Sequence, residues 1–444
     1  MNDERRTMKQ NGSAIPASEQ RSAVSSQRST FSAQRSVAIL HYAGPPTVGG
    51  VEATMAAHAR VLAADGHRVR IVAGRAAPIP GVEVIADPDL DSRGAEVEQV
   101  ARELAAGHAG PSFEALTARI AEQLAAALAD ADVAIVHNVL SLHKNLAFTA
   151  ALLRLHASGR APRLLAWCHD FAWLDPLYAA DLHDAYPWSL LRTAWPGVRY
   201  VVVSEDRRSM LAGLLGLPPE QVAVVTPGVD LAAFLKLEPE TVALVARLDL
   251  LAADPLLLLP ARITRRKNIE QAIAIVGGLR RLGLRPRLVV SGPPGPHNPS
   301  NAAYLARLKQ VCHASEADDA VVFLYEVFVD EDGRPRPVAD ALLADLFKLA
   351  DGLLMPSRAE GFGIPLIEAG LAGIPIFCSD IAPFRESAGD AALRFDPDAA
   401  PGEVAARIAA ALRDDRRAAF RRRVRLEYTW EAIYQRAIVP LLEA

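Results

Sequence analysis

The segment "GLLMPSRAEGFGIPLIEAGLAGIPIFCSD", residues 352–380, carries the pattern that decides the fold of this chain. An apolar run at 352–356 leads into a loop with two glycines. A helical stretch follows, and a second apolar run begins near residue 375. Short apolar strands joined by a helix are typical of a parallel sheet that is covered on both faces. We therefore predict a strand–helix–strand unit here.

The same alternation runs through the rest of the chain from Ser36 onward. The predicted strands of the first half are "SVAIL", "RVRIV", "VEVIA", "DVAIVH", "RLLAWCH", "RYVVVS" and "VAVVT". Those of the second half are "LLLLPA", "RLVVSG", "VVFLYE", "GLLMPS", "PIFCSD" and "ALRF". One open sheet of this many strands would be unusual, so we predict an α/β protein with two doubly wound parallel-sheet domains. Ligands of such sheets collect outside the carboxyl ends of the strands, which predicts a central cleft between the domains.

We expect the boundaries to follow changes in composition along the 444 residues. Residues 1–34 are rich in Ser, Gln and Arg and are predicted to be a disordered tail. The N-terminal domain is expected at 35–232, a less regular connection at 233–254, and the C-terminal domain from 255 to 427.

Composition excludes several classes of protein. Lys and Arg total 48, Asp and Glu total 52, and the net charge of −4 is too near neutral for wholesale binding of nucleic acid or anionic membrane. The three cysteines, which are far apart, do not indicate a disulfide framework or a zinc site. No stretch reaches the roughly 18–20 apolar residues of a membrane span, and the tail lacks the apolar core of a secretory signal. We expect a cytoplasmic protein with buried, reduced thiols.

The loop and helix at 360–368, "EGFGIPLIE", predict an anion site with a sugar beside it. Gly361 and Gly363 permit close approach of the backbone to a ligand, and Pro365 suits the first helical position. The helix N-terminus then offers free N–H groups to an anion. Glu368, expected on the first turn, can accept hydrogen bonds from vicinal hydroxyls such as those of a ribose. Glu360 lies on the loop, closer to a sugar on that phosphate. The alternative is a capped surface helix with incidental acids.

A basic cluster follows an earlier strand, in "LPARITRRKNIEQAI" at 259–273. Its cations are Arg262, Arg265, Arg266 and Lys267. Cations at the carboxyl end of a parallel strand suit a diphosphate, because hydrogen bonds between charged groups are strong. By itself the cluster also fits a solvated basic face.

The first strand ends in a glycine-containing loop with Gly44, Gly49 and Gly50, and a helix follows. It resembles a phosphate-binding turn, but it is neither G-x-G-x-x-G nor a Walker loop. No acidic residue clearly ends the next strand to hold an adenosine ribose. A two-domain NAD-type oxidoreductase is therefore disfavoured.

Polar residues also end two buried strands of the first half. His169 and Asp170 follow "RLLAWC", and His137 and Asn138 end or follow "DVAIV". Strand ends line the predicted cleft, so these side chains are candidates for the acceptor side, against the usual structural role of a lone histidine. The acid pairs in "DPDLD" and "DPD" are interpreted as structural, and we predict no metal site.

Taken together, these segments resemble the retaining family 4 glycosyltransferases of the GT-B fold, which has two Rossmann-like domains. The resemblance covers about residues 36–440 and is most specific at 351–389. The matching elements are the E-x7-E signature in "EGFGIPLIEAGLAGIPIFCSD", the Arg…Lys clamp in "RITRRKN", the glycine loop in "GGVE", the junction element in "VVTPGVDLAAF" and the C-terminal helix in "YTWEAIYQRAIVPLL". In this fold that helix, here 428–444, crosses back to the first domain.

The resemblance implies roles for individual residues. Glu368 would hold the nucleotide ribose, and Arg262 and Lys267 the diphosphate. Glu360 and the backbone of Gly361, Phe362 and Gly363 would contact the donor sugar. Gly49 and Gly50 would approach the phosphate from the first domain, and His169 would face the transferred sugar and the acceptor.

Two features depart from the family pattern. Pro227 stands where the junction element usually has Asn, and the stretch 325–347, near the expected base pocket, is longer than usual. The base and the sugar of the donor are therefore not assigned.

The expected function is metal-independent, retaining transfer of a hexose from a nucleotide-diphosphate sugar, with no further cofactor. A soluble metabolite or saccharide is favoured as acceptor over a lipid, because no basic amphipathic helix is evident in the first domain. A non-catalytic sugar-nucleotide-binding protein of the same fold is the other alternative. Oligomeric state is not predicted.

Overall fold

The computed structural model of the protein describes residues 34–47, 49–294 and 301–444. The tail predicted at 1–34 lies outside the described residues except for its last position. Within the described part, thirteen strands form two parallel sheets, of seven and six strands. The predicted division into two α/β domains with parallel sheets is confirmed.

The first sheet has the strand order β3-β2-β1-β4-β5-β6-β7. Its strands are β1 Ser36–His41, β2 Arg68–Ala73, β3 Glu83–Ala86, β4 Val133–His137, β5 Arg163–Cys168, β6 Arg199–Val202 and β7 Val222–Val224. The second sheet has the order β10-β9-β8-β11-β12-β13. Its strands are β8 Leu256–Leu259, β9 Arg287–Val290, β10 Val321–Phe323, β11 Gly352–Met355, β12 Ile376–Ser379 and β13 Ala392–Phe395.

Helices cover both sheets. In the first half they are α1 Gly50–Ala64, α2 Ala95–Leu104, α3 Pro111–Ala127, α4 Leu146–Ala157, α5 Glu205–Leu215, α6 Leu231–Leu235 and α7 Pro239–Arg247. In the second half they are α8 Ile269–Arg281, α9 Asn301–Ala314, α10 Leu324–Val327, α11 Asp340–Leu349, α12 Ile364–Ala372, α13 Ala382–Ala388, α14 Pro401–Asp414, α15 Arg416–Glu427, α16 Trp430–Ile433 and α17 Val439–Glu443, with a π-helical turn Tyr434–Ile438 before α17.

The apolar strands are buried on both faces, which explains why they read as continuous hydrophobic runs. All six residues of β1 are buried. Side chains that alternate along it join different cores: Leu40 packs into one cluster and Ile39 into another on the opposite face of the sheet. The switch in strand order beside β1 and beside β8 opens a crevice at the carboxyl edge of each sheet.

Two crossings of the chain between the domains run side by side. Val229 donates its N–H to the carbonyl of Tyr428 at 2.8 Å, and Val229 and Thr429 form a parallel bridge. Gly228 is required there, because a Cβ atom would lie 2.9 Å from side-chain atoms of both Trp430 and Ile433. The C-terminal segment then packs with α1 on the first sheet through Trp430, Tyr434 and Leu442.

The structure differs from the predicted elements in two places. The predicted strand "VVFLYE" ends at Phe323, since Leu324–Val327 turns into α10. The stretch 233–254, expected as a connection, contains α7, which buries Leu244 and Val245 in the core of the second domain.

The three cysteines Cys168, Cys312 and Cys378 are free and buried, as predicted. Over the described residues, no helix is both long enough and apolar enough to span a membrane.

Candidate functional site

The loop between β11 and α12 presents a helix N-terminus at the carboxyl edge of the second sheet. Gly363 is its N-cap residue, with φ of 105°, and a Cβ atom there would lie 2.8 Å from the ring of Phe384. Only glycine fits this conformation and this contact without strain. Gly361 has no such requirement, because a Cβ atom there would meet nothing within 4 Å. Beside them, the side chain of Phe362 is 45% exposed.

Helix α12 begins one residue earlier than expected, at Ile364. Pro365 therefore occupies the second helical position, and Glu368, the fifth residue, lies in the second turn and not in the first. The Glu368 side chain lines a cavity of about 370 Å³ that α11 borders with Phe347 and Lys348. Glu368 thus lies at a concave site between α11 and α12, one turn behind the N-terminus of α12.

Lys267 and Glu360 form an ion pair between the two motifs of the second domain. Lys267 lies in a short 3₁₀ turn, Arg265–Lys267, just before α8, and its Nζ is 2.5 Å from Oε1 of Glu360. Oε1 also accepts a hydrogen bond from Ser357 at 2.7 Å, and Oε2 pairs with Arg266 at 3.0 Å. The backbone N–H of Arg358 donates to the carbonyl of Arg266, so the two loops are joined along their length.

Burial and charge oppose each other at Glu360, whose side chain is only 8% exposed. Burial acts to raise the pKa of the carboxyl group. The hydrogen bonds from Lys267 and Ser357 and the nearby positive charges outweigh it, so the pKa is lowered. Glu360 is therefore a carboxylate at neutral pH, and it compensates the charge of the buried ammonium.

Arg262, the other predicted clamp residue, is exposed and makes no side-chain ion pair within the described ranges. Residues that follow the neighbouring strand β9 contact its backbone. A Cβ atom on Gly292 would lie 2.6 Å from the backbone nitrogen of Arg262, and the N–H of Ile263 donates to Pro293 at 2.9 Å. The backbone of Arg262 is thus fixed just after β8, and its side chain is exposed to solvent.

In the first domain, Gly49 and Gly50 lie at the start of α1. Gly49 is the N-cap residue in an extended conformation. A Cβ atom on Gly49 would meet the carboxylate of Glu52 at 2.1 Å, which is the flexible end of a side chain. The carboxylate of Glu52 therefore lies next to Gly49, where the sequence predicts that a phosphate approaches the backbone.

His169 and Asp170 follow β5 at the carboxyl edge of the first sheet. His169 is partly exposed and Asp170 is exposed. Burial lowers the pKa of His169 to about 4, partly opposed by the charge of Asp170, so the imidazole is neutral at physiological pH. His169 is thus an uncharged, partly exposed side chain at the carboxyl edge of the first sheet.

His137 and Asn138 are buried, at 0% and 2% exposure. They contact the neighbouring pair, because Nδ1 of His137 lies 3.0 Å from Nε2 of His169. Oδ1 of Asn138 accepts from the backbone N–H groups of His169 and Asp170, at 2.7 and 3.3 Å. The structure therefore puts them behind the cleft surface, where they support His169 and Asp170.

The loops that follow these two pairs also wall a cavity of about 290 Å³. Ala172 donates its N–H to the carbonyl of Ser141 at 2.8 Å, which joins the loops. The polar residues of the cavity wall are His143, Lys144, Asn145, Asp181 and His183, and Trp188 and α2 supply the apolar wall. Nε2 of His143 is 3.4 Å from Asp181.

Several contacts that hold the site residues in place were not predicted from the sequence. Ser357 and Arg266 hold Glu360, and Gly292 positions Arg262, although no spacing rule linked them. The "SGPP" that follows β9 was the one available signal for Gly292. The acids of "DPDLD" are engaged structurally: Asp89 pairs with Arg119 at 2.6 Å and Asp91 with Arg75.

Comparison with known proteins covers both domains. Residues 48–233 match the family described as Glycosyltransferase Family 4, and residues 246–427 match Glycosyl transferases group 1. A D-inositol 3-phosphate glycosyltransferase of Kineococcus radiotolerans is 31% identical over 198 residues, 43% of this chain and 42% of the relative. A mannosylglucosylglycerate synthase of Petrotoga mobilis is 26% identical over 282 residues, 57% and 62% of the two chains.

These alignments span about half the length of the curated relatives. A solved glycosyltransferase of Rickettsia africae shares 13% identity over 93% of this chain and 98% of its own, with a TM-score of 0.35. The first family match spans β2 to β7 of the first sheet, and the second spans all six strands of the second sheet. The chain belongs to family 4 of the glycosyltransferases, with the GT-B architecture.

Proposed function

We propose that the protein transfers a hexose from a nucleotide-diphosphate sugar to an acceptor hydroxyl, with retention at the anomeric carbon. The observation that carries this proposal is the Lys267–Glu360 pair. It joins the basic cluster that precedes α8 to the loop that leads into the N-terminus of α12. A diphosphate requires cations and free N–H groups, and a sugar requires a hydrogen-bond acceptor beside them.

In the proposed reaction, the bond between C1 of the sugar and the phosphate oxygen breaks as positive charge develops on the sugar. Arg262, Lys267 and the N-terminus of α12 stabilise the departing diphosphate, which is the electrostatic part of the catalysis. The acceptor oxygen attacks C1 from the face that the phosphate leaves, and its proton passes to the departing phosphate oxygen. This basic clamp takes the place of a divalent metal. Closure of the domains about the paired crossings at Val229 and Thr429 excludes water.

For the acceptor we propose a small polar metabolite or saccharide that binds in the cavity between the loops after β4 and β5. A Lys, an Asp and two histidines beside the indole of Trp188 suit hydroxyl groups and an apolar sugar face. The relatives named for D-inositol 3-phosphate and for mannosylglucosylglycerate point to the same class of compound.

The proposal is tested first by thermal shift with UDP-, GDP- and ADP-sugars, with Lys267→Ala as the matched control. We expect one nucleotide series to raise the Tm of the wild-type protein and to have little effect on the variant. The stabilising donor is then offered to a library of small polyols and saccharides. NMR of the product gives its anomeric configuration, and inversion would contradict the proposed retention. Stabilisation by a donor with neither transfer nor hydrolysis would favour the non-catalytic alternative.

A further inference from the structure

A row of histidines runs inward from the cleft under His169. His137 contacts His169, and the ring of His58 lies behind His137, with centroids 5.4 Å apart. Trp167 packs against both His58 and His137. Beyond them, Trp430 of the C-terminal segment packs edge-on against His58. The row therefore extends from the cleft to the segment that connects the domains.

The contact between His137 and His169 has a direction, because both rings are neutral. Burial lowers the pKa of His137 well below its ordinary value and that of His169 to about 4. Each ring then has one N–H and one lone pair. Across the 3.0 Å contact, either Nδ1–H of His137 donates to Nε2 of His169, or Nε2–H of His169 donates to Nδ1 of His137.

The far side of His137 distinguishes these two arrangements. Its Nε2 is buried and has no hydrogen-bond partner in the described part of the chain. If His169 were the donor, this nitrogen would carry a proton, and a buried N–H group would have no acceptor. If His137 is the donor, only a lone pair is buried there, and buried donors without partners are rarer in proteins than underused acceptors.

Resting on the proposed function, we infer that His137 is a positioning residue that fixes His169 as the Nδ1–H tautomer, so that His169 donates a hydrogen bond to a substrate oxygen. Among the described residues, the His169 ring makes its hydrogen bond through Nε2 and none through Nδ1, and the residue is partly exposed at the carboxyl edge of the first sheet. Asn138 fixes the backbone of His169 in the same place, through the 2.7 Å hydrogen bond to its N–H. In this assignment His169 does not act as the base that deprotonates the acceptor.

The tautomer is measured directly by NMR on the full-length protein labelled with ¹⁵N in the histidine rings. His169 is assigned by loss of its signals in His169→Gln. We expect a protonated Nδ1 and an unprotonated Nε2 for His169 at neutral pH. The opposite tautomer would overturn the inference, whatever the activity of the protein. Failure of the proposed function appears separately, as absence of transfer by the wild-type enzyme.

Substitutions provide a second test, by activity. In His137→Asn the side-chain NH₂ takes the place of the Nδ1–H donor, whereas His137→Leu has no donor. We expect the Leu variant to lose about tenfold in kcat with little change in KM for the donor, and the Asn variant to keep most of the activity. His169→Asn, which retains a donor at the Nδ1 position, should likewise be more active than His169→Gln. Equal loss in both members of each pair would contradict the donor role.

Folding is monitored in the same variants through Tm. If His137→Leu does not fold, the NMR assignment and the His169 pair still decide the question, because His169 is partly exposed and tolerates polar substitution better.

Discussion

The ammonium nitrogen of Lys267 lies 2.5 Å from a carboxylate oxygen of Glu360, across 93 residues of sequence. Both side chains are almost fully buried, at 11% and 8% exposure. A buried cation and a buried anion each incur a desolvation cost that only a close partner offsets. The pair therefore orders the loop of the basic cluster and the loop of α12 with respect to each other.

Loss of the cation should impair catalysis strongly. We predict that Lys267→Ala lowers kcat/KM by 10²-fold or more, about 2.7 kcal/mol in transition-state stabilisation, because the leaving diphosphate loses a cation and Glu360 loses its main partner. Arg266→Ala is the comparison, and its effect should be smaller because that side chain is 55% exposed. Steady-state kinetics with a donor from the thermal-shift panel measure both. An effect below about threefold for Lys267→Ala would remove this residue from the clamp.

Glu368 is expected to act on nucleotide binding more than on turnover. Glu368 lines the cavity beside α11, and a carboxylate accepts hydrogen bonds from vicinal hydroxyls such as those of a ribose. We predict that Glu368→Ala weakens the affinity for the nucleoside diphosphate, measured by calorimetry without any sugar. Glu386→Ala, on the neighbouring helix α13, serves as the control for loss of a carboxylate. Unchanged affinity in Glu368→Ala would exclude the ribose role.

The two glycines before α12 should differ sharply in their tolerance of a side chain. At Gly363 a Cβ atom would approach the Phe384 ring at 2.8 Å, in a backbone conformation that L-residues rarely adopt. We predict that Gly363→Ala lowers stability by about 1–3 kcal/mol. Gly361→Ala, which meets nothing within 4 Å, should leave Tm nearly unchanged. Denaturation curves of the two variants test this, and equal losses of stability would contradict the steric argument.

Stability should fall on mild acidification because of the buried histidines. Burial lowers the pKa of His58 to about 3 and that of His169 to about 4, so the unfolded chain binds protons that the folded chain does not. The free energy of unfolding therefore decreases as pH falls below about 6.5, by about 1.4 kcal/mol per pH unit for each such group. The loss continues until the pH reaches the lowered pKa values of the folded state.

His58→Leu should flatten this dependence between about pH 6 and pH 4, since one buried titrating group is removed. It should also stabilise the protein at low pH, because neither ring nitrogen of His58 has a partner within the described ranges. The control is His313→Leu, at a side chain that is 87% exposed. Chemical denaturation at several pH values gives both slopes. A slope that His58→Leu leaves unchanged would show that other groups dominate.

Metal removal provides a further check on the proposed mechanism. Because Arg262, Lys267 and a helix N-terminus are proposed to stabilise the diphosphate, we predict that transfer activity survives excess EDTA. Activity is measured after exhaustive dialysis against chelator, with and without added Mg²⁺ or Mn²⁺. Loss of activity that the metal restores would contradict the proposed clamp.

The sequence predicted the strands well because each is a short apolar run that the two-sided burial of a parallel sheet requires. The predicted end of a strand was less reliable where the apolar residues continue into a helix. In "VVFLYE", the apolar residues of β10 and of α10 follow one another and cannot be told apart by hydrophobicity. The predicted start of α12 was one residue too late. Pro365 is compatible with either of the first two helical positions, and the left-handed conformation of Gly363 decides between them.

By itself, the sequence determined the two α/β domains and the glycine-dependent helix N-terminus, since the apolar strand pattern and local spacing encode them. The residues expected around a donor followed from the resemblance to the family. Only the tertiary structure decided which of these residues meet. The pairing of Lys267 with Glu360, the close approach of Gly292 to Arg262 and the contact of His137 with His169 all join separate strand ends. Such contacts depend on which strands are neighbours in the sheet, and residue spacing along the chain does not contain that information.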